Sequence, residues 1–215
     1  FPTRRSSDLM GEKRQARQGA DVLLQEEPLR FQTRKQVGLL GGNFNPVHLA
    51  HLVMADQVQN QLGLDKVYLM PTYLPPHVDE KKTISSEHRL AMLELAVSDN
   101  PCLDIEPIEL IRKGKSYTYD TMKALKEANP DTDYYFIIGG DMVEYLPKWH
   151  RIDELLHLVQ FVGIRRPNYP TESTYPIIWV DVPQMAISST LIRQKVKSGC
   201  STRYLLPENV INYIQ

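Results

Sequence analysis

Two histidines three positions apart, His48 and His51, follow a pair of glycines, Gly41 and Gly42. The apolar run before the glycines predicts a strand, the glycines predict a tight turn, and the residue spacing from Val47 onward predicts a helix. Glycines let a phosphate approach the backbone closely, and a helix N-terminus offers free N–H groups and the positive end of a dipole. Residues three apart share one helix face, so both imidazoles face this anion site. The pattern therefore indicates phosphate chemistry.

Other interpretations of this stretch stay open. A Gly-Gly turn after a strand is common in α/β proteins, and a His-x-x-His pair is also half of a zinc site. Zinc needs a third and usually a fourth ligand, and no other histidine has ligand spacing, so we predict no metal ligands. The stretch also lacks both the G-x-G-x-x-G pattern and the Lys-Ser/Thr pair of the familiar nucleotide-binding loops.

The composition of the chain excludes several classes of protein. The 215 residues suffice for one domain, and the net charge of −1 provides no field to recruit nucleic acid or a membrane. The two cysteines predict no disulfide framework, and no apolar run reaches the roughly 18 residues of a membrane span. No secretory signal is apparent, so we expect a cytoplasmic protein without nucleic-acid or membrane partners. The oligomeric state stays open, with a homodimer among the options.

Residues 1–36 differ in composition from the rest of the chain. They carry eight Lys/Arg and five Asp/Glu residues but few apolar ones, which predicts a disordered tail before a domain at 37–215. Residues 1–9 match the translation of a widely used sequencing adapter. We therefore expect them to be an artefact, with Met10 as the true start.

Strands and helices are predicted to alternate after this tail. The predicted strands are 37–40, 67–70, 103–105, 134–138, 159–164 and 177–180, and the predicted helices are 49–62, 87–97, 117–128, 152–156, 191–197 and 207–214. This alternation predicts an α/β fold: an open, mostly parallel, doubly wound (Rossmann-like) sheet with helices on both faces and a small helical C-terminal part. Strand 134–138 also runs into two glycines. Ligands of such sheets bind beyond the carboxyl ends of the strands, where both glycine pairs lie.

Two longer motifs resemble those of a known enzyme superfamily. Residues 41–51 (GGNFNPVHLAH) are similar to the G-G-x-F-D-P-x-H-x-G-H signature of the nucleotidyltransferases, and residues 187–193 (ISSTLIR) match their I-S-S-T-x-I-R signature. Shorter matches resemble the bacterial nicotinate-nucleotide adenylyltransferase branch, at residues 75–77, 116–121, 139–141 and 146–151. The resemblance runs from about residue 36 to the C-terminus. Asn45, Ala50 and Val78 depart from it, where the family has Asp, Gly and often Lys.

The resemblance implies a reaction and a set of site residues. AMP would pass from ATP to the 5′-phosphate of nicotinate mononucleotide by direct in-line attack with no covalent enzyme intermediate, giving deamido-NAD and pyrophosphate. Mg²⁺ would accompany ATP, held mostly by the nucleotide's own oxygens. The implied catalytic residues are His48, His51 and Arg193. The implied ATP-binding residues are Gly41, Gly42, Phe44, Gly139, Asp141, Ser188 and Ser189. The implied mononucleotide-binding residues are Asn43, His77, Tyr117, Thr118 and Trp149.

The physical demands of this reaction agree with those residue types. The attacking phosphate oxygen is already anionic at pH 7, so the site must align two polyanions and neutralise charge rather than provide a strong base. Structural interpretations stand beside the functional ones. Ser188 and Asp141 are also helix N-cap candidates, and Trp149 is also a candidate half-buried anchor. Four further cations stay outside the predicted site: Arg89, Arg151, Arg165 and Arg166.

Three alternative functions remain at this point. The same chemistry would serve nicotinamide mononucleotide or another phosphorylated acceptor. A different class is a non-catalytic nucleotide-binding protein, with Asn45 as the sign of lost activity. A zinc hydrolase built on the two histidines is a third alternative.

Overall fold

The structure, a computed structural model, describes residues 34–75, 83–166, 169 and 172–215. The predicted artefact 1–9, the tail up to residue 33 and the predicted site residue His77 lie outside the described residues. The first strand begins at Lys35, two residues before the predicted start of the domain.

The described residues form one parallel sheet of six strands, in the spatial order β3-β2-β1-β4-β5-β6. The strands are β1 (Lys35–Gly42), β2 (Lys66–Pro71), β3 (Leu103–Ile105), β4 (Thr132–Gly139), β5 (Val159–Ile164) and β6 (Ile177–Val180). The chain builds one half of the sheet outward from β1 and then returns to add β4 on the other side of β1. The carboxyl ends of β1 and β4 therefore flank the switch point at which such sheets bind ligands.

Eight helices and one short 3₁₀ turn connect or follow these strands in the described part of the chain. The helices are α1 (Leu49–Leu62), α2 (Ser86–Val97), α3 (Ile108–Arg112), α4 (Thr118–Ala128), α5 (Gly140–Val143), α6 (Ile152–Leu155), α7 (Ser189–Lys197) and α8 (Glu208–Ile214), and the 3₁₀ turn is Leu146–Lys148. None of the described helices is long and apolar enough to cross a lipid bilayer.

Helices cover both faces of the sheet because successive side chains of each strand point in opposite directions. Leu40 of β1 packs with α1, α2, α7 and α8 in one apolar core. Its neighbour Leu39 packs with α4 and α6 in the other. Each face of the sheet therefore has its own buried layer, as in doubly wound proteins. The predicted fold class is confirmed.

The helices that the sequence did not predict are short. α3 has five residues and α5 has four, too few for an apolar repeat to show a helical period. Other differences lie at element ends. α7 begins at Ser189 rather than residue 191, because Ser188 occupies the N-cap and accepts the Leu191 N–H at 3.2 Å.

Candidate active site

Two neighbouring cavities open at the carboxyl ends of β1 and β4. The first, of about 420 Å³, is lined by Gly41, Gly42 and Gly139 together with Tyr117, Thr118 and Trp149. The second, of about 770 Å³, is lined by His48, Ser188 and Ser189. Four residues line both cavities and so mark their junction: Asn43, His51, Met54 and Arg166. Most of the predicted site residues therefore come together, on two sides of one junction.

The Phe44 side chain packs beneath the loop that follows β1. This side chain is 1% exposed, and its ring lies so close to Gly42 that a Cβ there would be 2.9 Å from the ring. Phe44 itself has a φ of 45°, which is strained for a residue with a side chain. Its ring meets that of His51 edge-on at 4.9 Å. Phe44, which the resemblance places on ATP, lines the second cavity, and its buried side chain supports the loop and His51.

The two histidines form one stacked unit at the start of α1. Their ring centroids are 3.6 Å apart with an interplanar angle of 22°. The backbone N–H of His48 donates to Nδ1 of His51 at 3.3 Å. A neutral imidazole carries one hydrogen, so this bond places it on Nε2 of His51. The fold therefore presents His51 as a hydrogen-bond donor through Nε2.

Burial keeps both histidines uncharged at neutral pH. It lowers the pKa of His48 to about 4. Burial, together with the neighbouring His48, lowers the pKa of His51 to about 3. His48 is 5% exposed, and its Nδ1 is buried without a partner among the described residues. The pair therefore offers hydrogen bonds rather than fixed positive charge.

We expect these depressed pKa values to make the protein sensitive to acid. Below about pH 6.5 the unfolded chain binds protons at both histidines while the folded protein does not. The free energy of unfolding should then fall between pH 7.5 and 5 by about 2 kcal/mol for each histidine. The loss should continue until the pH passes the folded-state pKa values of about 4 and 3.

Urea unfolding at several pH values measures this effect. The variant His48→Asn/His51→Asn should lose much less stability over the same interval, whereas His157→Asn, which alters an exposed histidine, should behave like the wild type. Equal losses in the wild type and the double variant would contradict the prediction.

The second motif contacts the first across the fold. Ser189 Oγ donates to the carbonyl of Pro46 at 2.8 Å, and Nη1 of Arg193 donates to the carbonyl of Asn45 at 2.7 Å. These bonds join the start of α7 to the loop that carries the histidines. Arg193 lines neither of the two cavities, so in this structure its guanidinium holds the loop rather than facing the open space.

The far side of the first cavity is aromatic. Trp149 packs edge-on against Phe136 and Phe161, each at 5.9 Å, while also lining the cavity. The Tyr117 ring lies 4.7 Å from that of His150. The packing of Trp149 thus supports the half-buried anchor interpretation, and its position in the cavity supports the binding interpretation.

Asp141 pairs with a cation that the sequence analysis left outside the site. Its carboxylate lies 3.2 Å from Nη1 of Arg166 and close to Gly139. The N-cap of α5 is Gly139, so the N-cap interpretation of Asp141 is wrong. Arg166 follows β5 at the carboxyl edge of the sheet, and that position was the signal available in the sequence.

Glu109 is a further cavity residue that the sequence did not predict. It is 5% exposed in α3, lines the first cavity and accepts a hydrogen bond from Thr121 Oγ at 3.0 Å. Burial raises the pKa of its carboxyl group. Its short helix has no sequence signature, which is why it escaped prediction.

In the described part of the chain, no group of three or more His, Cys, Asp or Glu side chains lies close enough to hold an ion. Asn45 is 5% exposed and brings no charge to the position where the superfamily signature has Asp.

Comparisons with known proteins agree with this geometry. A family model described as cytidylyltransferase-like matches residues 39–195. A probable nicotinate-nucleotide adenylyltransferase of Enterococcus faecalis is 99% identical over 206 residues, covering 96% of this chain and 94% of the relative. Its counterpart in Streptococcus pneumoniae serotype 4 is 63% identical over 190 residues, covering 88% and 91%.

Solved structures share the fold at much lower identity. The Plasmodium falciparum nicotinic acid mononucleotide adenylyltransferase complexed with NaAD has a TM-score of 0.69 at 18% identity, covering 84% of this chain and 95% of that one. The same enzyme complexed with APC has a TM-score of 0.68 at 18% identity, covering 84% and 94%. By its sequence relatives and its family model, the chain is an enzyme of the nicotinate-nucleotide adenylyltransferase family, within the cytidylyltransferase-like group.

Proposed function

We propose that the protein transfers AMP from MgATP to the 5′-phosphate of nicotinate mononucleotide, releasing pyrophosphate and forming deamido-NAD. The observation that carries this proposal is the position of His51 at the junction of the two cavities. A group there reaches ligands in both. The names of the sequence relatives support the choice of acceptor.

The reaction forms one bond and breaks one at the α-phosphorus of ATP. An oxygen of the acceptor phosphate attacks, and the bond to the β-phosphate oxygen breaks in line with it. His51 donates from Nε2 to an α-phosphate oxygen, where charge develops in the transition state. His48 stacks on His51 and holds its ring in place.

The second cavity is the proposed site of the triphosphate. Ser188, Ser189 and the N-terminal N–H groups of the nine-residue helix α7 bind the β- and γ-phosphates. Arg166, at the junction of the cavities, adds positive charge on the same side. Arg193 donates to the Asn45 carbonyl and so stabilises the loop that carries the two histidines.

The first cavity is the proposed site of the mononucleotide. The Trp149 ring stacks on the pyridine ring, and Tyr117 and Thr118 provide hydroxyl or backbone N–H donors to the nicotinate carboxylate or the phosphate. Asp141, released from Arg166, accepts from a ribose hydroxyl of ATP. The two glycine pairs let both ligands approach the sheet edge closely.

Mg²⁺ fits this scheme as part of the nucleotide substrate. The ion would enter with ATP, held mostly by the nucleotide's own phosphate oxygens. When bound, it neutralises charge on the triphosphate.

Pyrophosphate release from MgATP tests the proposal. We expect rapid release with nicotinate mononucleotide and at least tenfold lower kcat/KM with nicotinamide mononucleotide, because one buried unpaired polar group costs about 1–3 kcal/mol. Preference for the amide would keep the chemistry and change the acceptor. Binding of ATP without release for either acceptor would instead support a non-catalytic nucleotide-binding protein.

A further inference from the structure

Arg89 of α2 has one of the largest fully buried side chains in the described part of the chain, with 2% exposure. Its Nη1 donates to the Asn43 carbonyl at 2.9 Å, to Asn43 Oδ1 at 3.3 Å and to the Thr72 carbonyl at 2.8 Å. Asn43 follows β1 and Thr72 follows β2. One buried guanidinium therefore ties together the ends of two neighbouring strands at the cavity edge.

The positive charge of Arg89 has no counter-ion among the described residues. No carboxylate in that part of the chain is within ion-pair distance of it, and its Nε is buried without an acceptor there. Burial lowers the pKa of the guanidinium, yet arginine stays protonated in proteins. A buried charge without a counter-ion among the described residues is costly to that part of the fold, and an anion bound at the adjacent loop would offset that cost.

The guanidinium also determines how the Asn43 amide is oriented. A guanidinium only donates hydrogen bonds, so the Asn43 atom that faces it must be the oxygen. The amide nitrogen then points away from Arg89 and donates to Thr83 Oγ at 3.4 Å. That bond uses one of its two hydrogens. The second has no acceptor among the described residues and can reach a ligand at the junction of the cavities, both of which Asn43 lines.

We propose that Arg89 is a positioning residue for the acceptor phosphate. Arg89 orients the Asn43 side chain so that the amide NH2 group of Asn43 faces the cavities. It also places a buried positive charge next to the loop after β1, where that phosphate binds. The inference rests on the proposed function only in taking a phosphorylated acceptor as the ligand. The sequence analysis left Arg89 among the cations outside the predicted site.

Steady-state kinetics test this role with the variants Arg89→Lys and Asn43→Ala. Lysine keeps the positive charge but has a single ammonium nitrogen in place of the planar guanidinium. It therefore loses the geometry that orients the Asn43 side-chain amide. We expect Arg89→Lys to raise KM for the mononucleotide about tenfold, with kcat and KM for ATP changed less than about threefold. Arg203→Lys, a substitution at an exposed residue that lines neither of these two cavities, is the matched control.

A double-mutant cycle separates positioning from general destabilisation. If Arg89 acts through Asn43, the variant Arg89→Lys/Asn43→Ala should have nearly the same KM as Asn43→Ala alone. Additive effects would overturn the proposal, as would equal increases in KM for both substrates. The melting temperature of each variant shows whether the measured protein is folded.

The NMR signals of the Asn43 side-chain amide provide a readout that needs no turnover. In the wild type we expect two resolved, exchange-protected N–H signals that shift when nicotinate mononucleotide is added without ATP. In Arg89→Lys they should lose protection, whereas in Arg203→Lys they should not. Unchanged protection in Arg89→Lys would overturn the inference. A wild type that releases no pyrophosphate would contradict the proposed function, and the protection would still decide the role of Arg89.

Discussion

Replacing His51 by alanine is expected to lower kcat/KM for pyrophosphate release by about 10²–10³-fold, the usual cost of removing one donor to a developing charge. The structure gives the reason. The backbone N–H of His48 donates to Nδ1 of His51, so the single N–H hydrogen of the neutral His51 ring lies on Nε2. Alanine removes that donor together with the acceptor of the His48 N–H, and as a strong helix former it is compatible with the first turn of α1, where residue 51 lies.

The matched control is His157→Ala, an exposed histidine away from both cavities. It should keep wild-type kinetics. The rate of the wild type should also show no transition from His51 between pH 6 and 9, because its pKa of about 3 keeps the ring neutral throughout. A loss of less than threefold in His51→Ala would contradict the assigned role.

Replacing Gly42 by alanine is expected to damage both stability and catalysis. The new methyl group would lie 2.9–3.2 Å from three atoms of the buried Phe44 ring, so the ring must move. Overpacking of this kind costs about 1–3 kcal/mol. Because the ring also contacts His51, the shift displaces the donor, and a misplacement near 1 Å can cost about 10²-fold in rate. Urea unfolding and steady-state kinetics measure the two effects.

Two other glycines of β1 separate these effects. A methyl group at Gly41 would be 3.4 Å from its nearest neighbour, so Gly41→Ala should leave the stability nearly unchanged. At Gly38 it would be 2.6 Å from Val67, within the sheet. Gly38→Ala should therefore lose stability but keep kcat in the folded fraction. Retention of full activity in Gly42→Ala would show that Phe44 does not position His51.

The sequence by itself determined the architecture and the location of the main motifs. Short apolar runs, three of them ended by glycine or proline, predicted all six strands, because the signals for a buried strand are local in the sequence. The Gly-Gly turn and the His-x-x-His spacing predicted an anion site at a helix start for the same local reason. The two motifs at 41–51 and 187–193 then predicted the family that the sequence relatives confirm.

Only the tertiary structure decided what each side chain contacts. Arg89 looks like a surface cation in the sequence, yet α2 packs it under the ends of β1 and β2. Phe44 and Arg193 both belong to the motifs. The Phe44 side chain is nevertheless buried in the core, and the Arg193 side chain donates to the Asn45 carbonyl of the loop. Burial and protonation depend on which distant elements pack together, and no local spacing encodes that. The neutral state of the histidines and the orientation of Asn43 therefore emerge only in the folded protein.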